Sequence, residues 1–110
     1  MEERERSLKF SDDFIIDLGK IFAYGLETFG RIQAEKYENS IWSFVYRLNI
    51  EYEIYPECKW ILTKGRIYRN IILDSHLIIY RIKSERIEVL RIFHSRSSIT
   101  RIRTARNIKI

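Results

Sequence analysis

The chain has 110 residues, of which 45% are hydrophobic and 32% are charged, a balance that is typical of one globular domain with a modest core. No apolar run approaches the roughly 20 residues of a membrane-spanning helix, and the opening residues MEERER lack the apolar stretch of a secretory signal, so we expect a cytoplasmic protein. A single cysteine, Cys58, excludes an internal disulfide. With only His76 and His94 beside it, the composition predicts no zinc site and no cofactor.

The net charge of +5 is concentrated at the C-terminal end. Residues 96–110 contain five basic side chains and no acidic one, whereas residues 1–95 contain 15 of each sign. We therefore predict one domain over residues 1–98 and a basic tail over residues 99–110. Such a tail can meet nucleic acid or an acidic partner, or can simply be solvated. Ile99, Ile102 and Ala105 favour a short helix within it, whereas NIKI at the end favours a strand.

Residues 7–10 predict a short first strand, and two helices follow it. Ser11, Asp12 and Asp13 are typical of a helix N-terminus, because their side-chain oxygens accept free backbone N–H groups. Apolar residues then recur every three or four positions, which predicts one buried helix face, and Gly30 fits the position after the helix. This first stripe consists of Phe14, Leu18, Phe22, Leu26 and Phe29, and the second helix repeats the pattern at Ala34, Tyr37, Ile41, Phe44 and Leu48.

Residues 49–64 lose the helical pattern, contain Pro56 and predict a long loop. Residues 65–73, 76–82 and 86–93 are rich in β-branched and aromatic side chains and predict three strands with short connections. The predicted fold is therefore α+β. An N-terminal short strand precedes a two-helix antiparallel hairpin, which packs on a largely antiparallel sheet of three to four strands.

A tight turn at residues 84–85 sets the register of the last hairpin by pairing Arg81 with Glu88. The same register pairs Lys83 with Arg86, Ile79 with Leu90 and Leu77 with Ile92. Both faces of this hairpin are then substantially apolar, yet one helical hairpin can cover only one face. We therefore expect a partner to cover the other face. The residues expected to contact that partner are Ile78, Tyr80, Val89 and Phe93.

Two stretches resemble the RelE/ParE superfamily of bacterial toxins. FGRIQAEKY at residues 29–37 resembles the junction between the two helices of these toxins, and HLIIYRIKSERIEVLRIFHSR at residues 76–96 resembles the pattern of the ParE branch. The resemblance implies a type II toxin that is neutralised by a cognate antitoxin, a small acidic protein that wraps the toxin and covers its sheet. For the ParE branch it implies inhibition of DNA gyrase through protein–protein binding. The RelE branch, the alternative, consists of ribosome-dependent mRNA endoribonucleases.

Target contacts are expected at five basic side chains, since arginine is enriched at interface hot spots. They are Arg69, Arg81, Arg91, His94 and Arg96. If the protein is instead a metal-independent nuclease, the catalytic candidates are His94, Arg96 and Arg69. The predicted register disfavours that activity, because it sets His76 opposite Phe93, on the face away from His94. In addition, the tyrosine that the nuclease branch has after the residue corresponding to Arg96 is Ile102 here.

A third class, a sequence-specific DNA reader, is disfavoured by the distribution of basic residues. The second helix carries only Lys36 and Arg47 as cations, so no recognition helix is visible. A toxin that has lost its activity and survives only in complex with its antitoxin stays open as well.

Overall fold

A strand, a helical hairpin and a three-stranded meander follow one another along the chain. The structure is a computed structural model that describes residues 5–110, and residues 1–4 of the charged opening segment lie outside the described residues. The elements are β1 (Ser7–Phe10), α1 (Asp12–Phe29), α2 (Arg31–Tyr46), α3 (Leu48–Glu51), β2 (Tyr68–Ile72), β3 (His76–Ile82), β4 (Arg86–His94), α4 (Ile99–Arg103) and a 3-10 helix (Thr104–Asn107). The predicted α+β fold is confirmed.

The four strands form one sheet in the order β1-β4-β3-β2. β1 runs parallel to β4, whereas the pairs β4–β3 and β3–β2 are antiparallel. β1 pairs only with residues 86–89 of β4, so the second half of β4 has no strand on that side. Within residues 5–110, no helix has both the length and the apolar character needed to cross a membrane.

The first helix begins and ends where the sequence predicts. The Ser11 hydroxyl accepts the backbone N–H of Phe14 at 2.9 Å and caps α1. Gly30 has a φ of 90°, a backbone conformation that favours glycine, and it separates α1 from α2. The two helices approach closely at Gly25, where an added Cβ would lie 3.2 Å from the Cβ of Ala34.

The predicted apolar stripe of α1 is buried only in its first half. Phe14 and Leu18 lie in the core, but Leu26 is 39% exposed and Phe29 is 66% exposed. The prediction that all five stripe residues are buried is wrong, because the hairpin is longer than the sheet beneath it. Tyr37 contacts His76 at the first residue of β3, so the six residues of α2 before Tyr37 extend about 9 Å beyond the end of that strand.

The core between the helices and the sheet contains the inner halves of α1 and α2. It is formed by Phe14, Leu18, Ile41, Val45, Leu48, Tyr52, Ile71, Ile78, Tyr80, Ile87, Val89 and Ile92. Leu48, which we assigned to the second helix, belongs to α3 instead. The Tyr80 hydroxyl in this core is satisfied, since it donates to the backbone carbonyl of Tyr52 at 2.6 Å.

The opposite face of the sheet is covered by the chain itself, and our expectation of an uncovered apolar face is therefore wrong. A second buried cluster consists of Cys58, Ile61, Tyr68, Leu77, Ile79, Leu90, Phe93, Ile102 and Ala105. Its cover comes from the loop before β2 and from the C-terminal helices. Residues 99–107, in the stretch that we predicted as a basic tail with a short helix favoured within it, form α4 and the 3-10 helix and pack against this face.

The predicted loop over residues 49–64 is partly ordered against the sheet. Residues 56–58 run beside the outer edge of β2, where Glu57 bridges to Arg69 and the Cys58 N–H donates to the Tyr68 carbonyl at 2.9 Å. β2 itself covers Tyr68–Ile72 and is shorter than the predicted strand at residues 65–73. The loop therefore protects an edge strand from pairing with other chains.

The register of the last hairpin is as predicted at its turn and differs further along. Arg81 pairs with Glu88, and Tyr80 pairs with Val89, but the pairing then shifts by one residue. Ile79 lies opposite Arg91, not opposite Leu90, because β4 contains an extra residue in a β-bulge. The predicted pairs Ile79–Leu90 and Leu77–Ile92 are wrong for this reason, and His76 lies opposite His94.

Candidate target-binding site at the end of the sheet

The bulge brings both histidines of the chain to one end of the sheet. The rings of His76 and His94 lie 5.4 Å apart, centroid to centroid, with their planes nearly perpendicular. The Tyr37 hydroxyl lies 2.7 Å from Nδ1 of His76. The prediction that the two histidines point to opposite faces is wrong, because it assumed a regular hairpin without the extra residue.

Burial shifts the pKa of His76 and of Tyr37. Desolvation lowers the pKa of His76, and the charge of a protonated His94 nearby lowers it further. Burial also raises the pKa of the Tyr37 hydroxyl, so the hydroxyl keeps its proton near neutral pH. A neutral His76 can accept a hydrogen bond from this hydroxyl at Nδ1 and carry its own proton on Nε2. The pair is thus a stable hydrogen bond that closes the end of the sheet.

His94 and Arg96 are the exposed members of the site. Both side chains face solvent, and the backbone N–H of Arg96 donates to Nδ1 of His94 at 3.1 Å. The chain is fixed there by a second bond, from the Ser95 N–H to the Ser75 carbonyl at 2.8 Å. The backbone that carries both side chains is therefore fixed, and the His94 ring is held by the Arg96 N–H.

Arg91 lies on the same strand but is held by α1. Its Nε donates to Oδ2 of Asp17 at 2.7 Å and its Nη2 donates to Oδ1 at 3.0 Å, which is a two-pronged ion pair. The Ile92 N–H also donates to Oδ2 of Asp17, at 2.9 Å. Asp17 thus binds the part of β4 that has no neighbouring strand on that side. Because the guanidinium of Arg91 is paired with Asp17, Arg91 is not available for a contact with the target.

Arg81 is sequestered at the other end of the hairpin. Its guanidinium binds the buried carboxylate of Glu88, with Nε at 2.7 Å, and donates to the Ile108 carbonyl at 2.8 Å. Arg86 binds the second carboxylate oxygen. Burial alone would raise the pKa of Glu88, but the hydrogen bonds from Arg81 and Arg86 outweigh it, so the net pKa is lowered. This triad fastens the C-terminal segment to the sheet.

Arg69 is distant from His94. Its guanidinium donates to three backbone carbonyls, those of Arg66, Glu53 and Tyr55, at 2.8 to 3.2 Å. Arg69 pairs with Tyr80, four residues along β3 from His76, which corresponds to about 13 Å. The three nuclease candidates His94, Arg96 and Arg69 are therefore not together, since Arg69 supports the loop before β2.

The four residues expected to meet an antitoxin are buried in the protein's own core. Ile78, Tyr80 and Val89 face the helices, whereas the bulge turns Phe93 to the opposite face. Several large exposed apolar side chains lie along the helical hairpin, and others, such as Leu62 and Ile72, lie apart from it. We call Tyr24, Leu26, Phe29 and Ile32, around the junction at Gly30, the hairpin-tip patch.

Two residues of the site were not recognised from the sequence. Asp17 lies three positions after Phe14, on the apolar face of α1, and a carboxylate at such a position signals a buried partner. Tyr37 was assigned to the helix core, and its contact with His76 depends on how far the hairpin projects.

Comparisons with known proteins agree with this architecture. The family described as "ParE toxin of type II toxin-antitoxin system, parDE" matches residues 8–99. A solved structure described as "Chromosomal ParDE TA system from P. aeruginosa" superposes with a TM-score of 0.67 at 21% identity, covering 83% of this chain and 97% of that chain. No curated protein sequence is similar enough to count as a match. Because the family match spans most of the chain, this protein belongs to the ParE toxins of type II toxin-antitoxin systems.

Proposed function

We propose that this toxin inhibits DNA gyrase by binding it through the exposed end of β4. The observation that carries the proposal is selective exposure at the predicted contact residues. His94 and Arg96 face solvent from a fixed backbone, whereas Arg81 and Arg91 bind carboxylates of the protein itself. An exposed arginine beside an exposed imidazole suits a protein contact, where arginine forks bind carboxylates and carbonyls.

Supercoiling of plasmid DNA by purified gyrase tests this proposal. We expect His94→Ala and Arg96→Ala each to weaken inhibition at least about tenfold, the effect of losing a typical hot spot of about 1.4 kcal/mol or more. Both side chains are exposed, so the thermal midpoint should not change. Lys83→Ala is the matched control, because it removes one cation from the β3–β4 turn at the opposite end of the sheet. Full inhibition by both site variants would refute the proposal.

We also propose that the antitoxin covers the hairpin-tip patch. Phe29 and Ile32 are 66% and 73% exposed, and they lie on consecutive helices on either side of Gly30. An amphipathic segment of a partner can bury such a group of side chains, and burial of each is worth roughly 1.5–3 kcal/mol. This surface replaces the sheet face that we first expected a partner to cover.

Binding of the cognate antitoxin by calorimetry tests the second part. Phe29→Ser and Ile32→Ser should weaken binding without lowering the stability of the free toxin. Ile54→Ser is the control, since Ile54 is 68% exposed in the loop before β2, away from the patch. If the control weakens binding as much as the patch variants do, the antitoxin does not dock on the hairpin tip.

A ribosome-dependent endoribonuclease is the alternative, and the proximity of His76 and His94 favours it. Two imidazoles 5.4 Å apart beside Arg96 supply groups for proton transfer and for phosphate binding. Against it, Arg69 is engaged elsewhere, and Glu88 is buried between two arginines. Primer extension on translated messages separates the two functions: cuts in phase with codons, together with unaffected supercoiling, would establish the nuclease.

A further inference from the structure

An open groove of about 580 Å³ lies between the loop before β2 and the C-terminal helices. Its sides carry Lys59, Arg103 and Arg106, and its floor includes Trp60 and Tyr68. The groove lies away from the hairpin-tip patch and takes no part in the proposed contacts to gyrase or to the antitoxin. Its residues come from the two segments that cover the second face of the sheet.

The groove is rigid because both of its sides are anchored. Ile102 and Ala105 are buried in the second cluster, which holds the C-terminal helices against the sheet. Across the groove, Nε of Arg103 donates to the Trp60 carbonyl at 3.0 Å. Arg103 and Arg106 are three residues apart, and their exposed side chains therefore stand at fixed spacing along one side.

Charge is separated between the two halves of the molecule. The segments 57–66 and 96–110, which supply most of the groove residues, contain eight basic side chains and one acid, Glu57, and three of these cations line the groove. Glu57 is itself occupied, since it pairs with Arg66 at 3.4 Å and accepts the Thr63 N–H at 3.2 Å. Residues 1–56, which include the helical hairpin, contain seven basic and eleven acidic side chains. Basic side chains therefore outnumber acidic ones in the segments that supply the groove, and the reverse holds for residues 1–56.

We propose that this groove binds the phosphate backbone of duplex DNA without regard to sequence. Arginine guanidinium groups match phosphate oxygens in geometry as well as in charge. Lys59 lies 4.7 Å from the centre of the Trp60 ring and covers it, so the groove does not offer a free aromatic face on which an unpaired base could stack. α4 has five residues, too few for a helix that reads bases in the major groove.

This inference rests on the proposed function and deepens it, because gyrase acts on duplex DNA and a toxin that also binds DNA would have two attachments to the same assembly. The proposed contact adds a second, electrostatic attachment beside the protein contact made by His94 and Arg96. Such attachment depends on salt, since each phosphate that the protein neutralises releases counterions.

Fluorescence anisotropy of a short labelled duplex, with the full chain and without gyrase, tests the inference. With three phosphates neutralised by Lys59, Arg103 and Arg106, affinity should fall about 40-fold between about 50 and 200 mM salt. The double variant Lys59→Ala/Arg106→Ala should bind more weakly, and its affinity should fall only about threefold over the same range. Because it removes two exposed cations, the fold should be retained.

The control variant Lys20→Ala/Lys36→Ala removes the same charge from exposed positions on the acidic hairpin, and it should bind DNA as the wild type does. Equal losses in the two double variants would overturn the inference, because binding would then reflect net charge alone. It would also be overturned if the groove variant bound DNA normally but lost affinity for the antitoxin, since the groove would then belong to an acidic protein. Because gyrase is absent, failure of the gyrase proposal leaves this result unchanged, and failure here leaves the supercoiling result unchanged.

Discussion

Replacing Asp17 with alanine should destabilise the toxin far more than removing any exposed carboxylate. The Asp17 carboxylate accepts three hydrogen bonds, two from Arg91 and one from the Ile92 N–H. Its side chain is 9% exposed and that of Arg91 is 17% exposed. The substitution leaves a largely buried guanidinium without its counter-charge and a strand N–H without an acceptor.

The structure sets the size of the effect. Breaking a buried ion pair by removing one partner costs about 3–5 kcal/mol, and the slight exposure of this pair puts the expected loss near the lower figure, about 3 kcal/mol. With a urea dependence of about 1–3 kcal/mol per molar, the midpoint of unfolding should move by roughly 1 to 3 M. The double variant Asp17→Ala/Arg91→Ala should lose less than the sum of the two single losses, because no unpaired charge remains in it.

Urea unfolding followed by tryptophan fluorescence measures this loss, since Trp42 packs against Phe10 and Phe14 in the core. Glu35→Ala is the matched control. Glu35 pairs with Arg31 at 3.8 Å on the same hairpin, with side chains 53% and 80% exposed, and its loss should cost no more than about 0.5 kcal/mol. A loss below about 1 kcal/mol for Asp17→Ala would refute the argument that this pair holds the open half of β4 to α1.

Three further predictions concern protonation and the C-terminal segment. Because the folded-state pKa of His76 is lowered, the unfolded chain binds the proton more readily, so stability should fall as pH drops below about 6.5, and His76→Gln should flatten that part of a pH titration of the unfolding free energy. Because the folded-state pKa of Glu88 is lowered, its carboxylate stabilises the fold above the carboxyl's ordinary pKa, and this contribution should be lost as pH falls through the folded value. In acid titrations of the unfolding free energy, Glu88→Gln should be less stable than the wild type at neutral pH and should lose less stability on acidification. Ile102→Ala should cost about 2–4 kcal/mol in urea unfolding and speed hydrogen exchange in residues 99–107, because it leaves a cavity under the cover of the second face.

The helices and strands were predictable because their signals are local. Ser11 and Gly30 bound α1 through backbone chemistry within a few residues, and the alternation of β-branched side chains marks β3 and β4 closely. The Arg81–Glu88 pair followed from the short turn between those strands. Each of these features depends on contacts between residues that are near one another in the sequence.

The packing of the C-terminal helices on the second face of the sheet could not be predicted from local signals of this kind. Ile102 and Ala105 are two apolar residues in an otherwise basic stretch. Their segment is held against the sheet by two hydrogen bonds from distant residues, from Arg81 to the Ile108 carbonyl and from Arg103 to the Trp60 carbonyl. The spacing of Ile99, Ile102 and Ala105 favours a short helix, but nothing in residues 96–110 alone shows which surface that helix packs against. Both faces of the sheet are apolar, and the C-terminal helices and the loop before β2 supply the cover that the helical hairpin cannot.

The β-bulge has a cause that lies about 80 residues away from it. β1 ends its pairing at Phe10, opposite Val89, and α1 takes over at that point. Ser11 then bonds the carbonyls of Val89 and Leu90 through its N–H and its hydroxyl, and Asp17 accepts the Ile92 N–H. These contacts satisfy the backbone groups that an extra residue in β4 leaves without a strand partner. The same shift moves His94 from opposite Ser75, its partner in a regular hairpin, to opposite His76, so the start of α1 determines which side chains meet at the other end of the sheet.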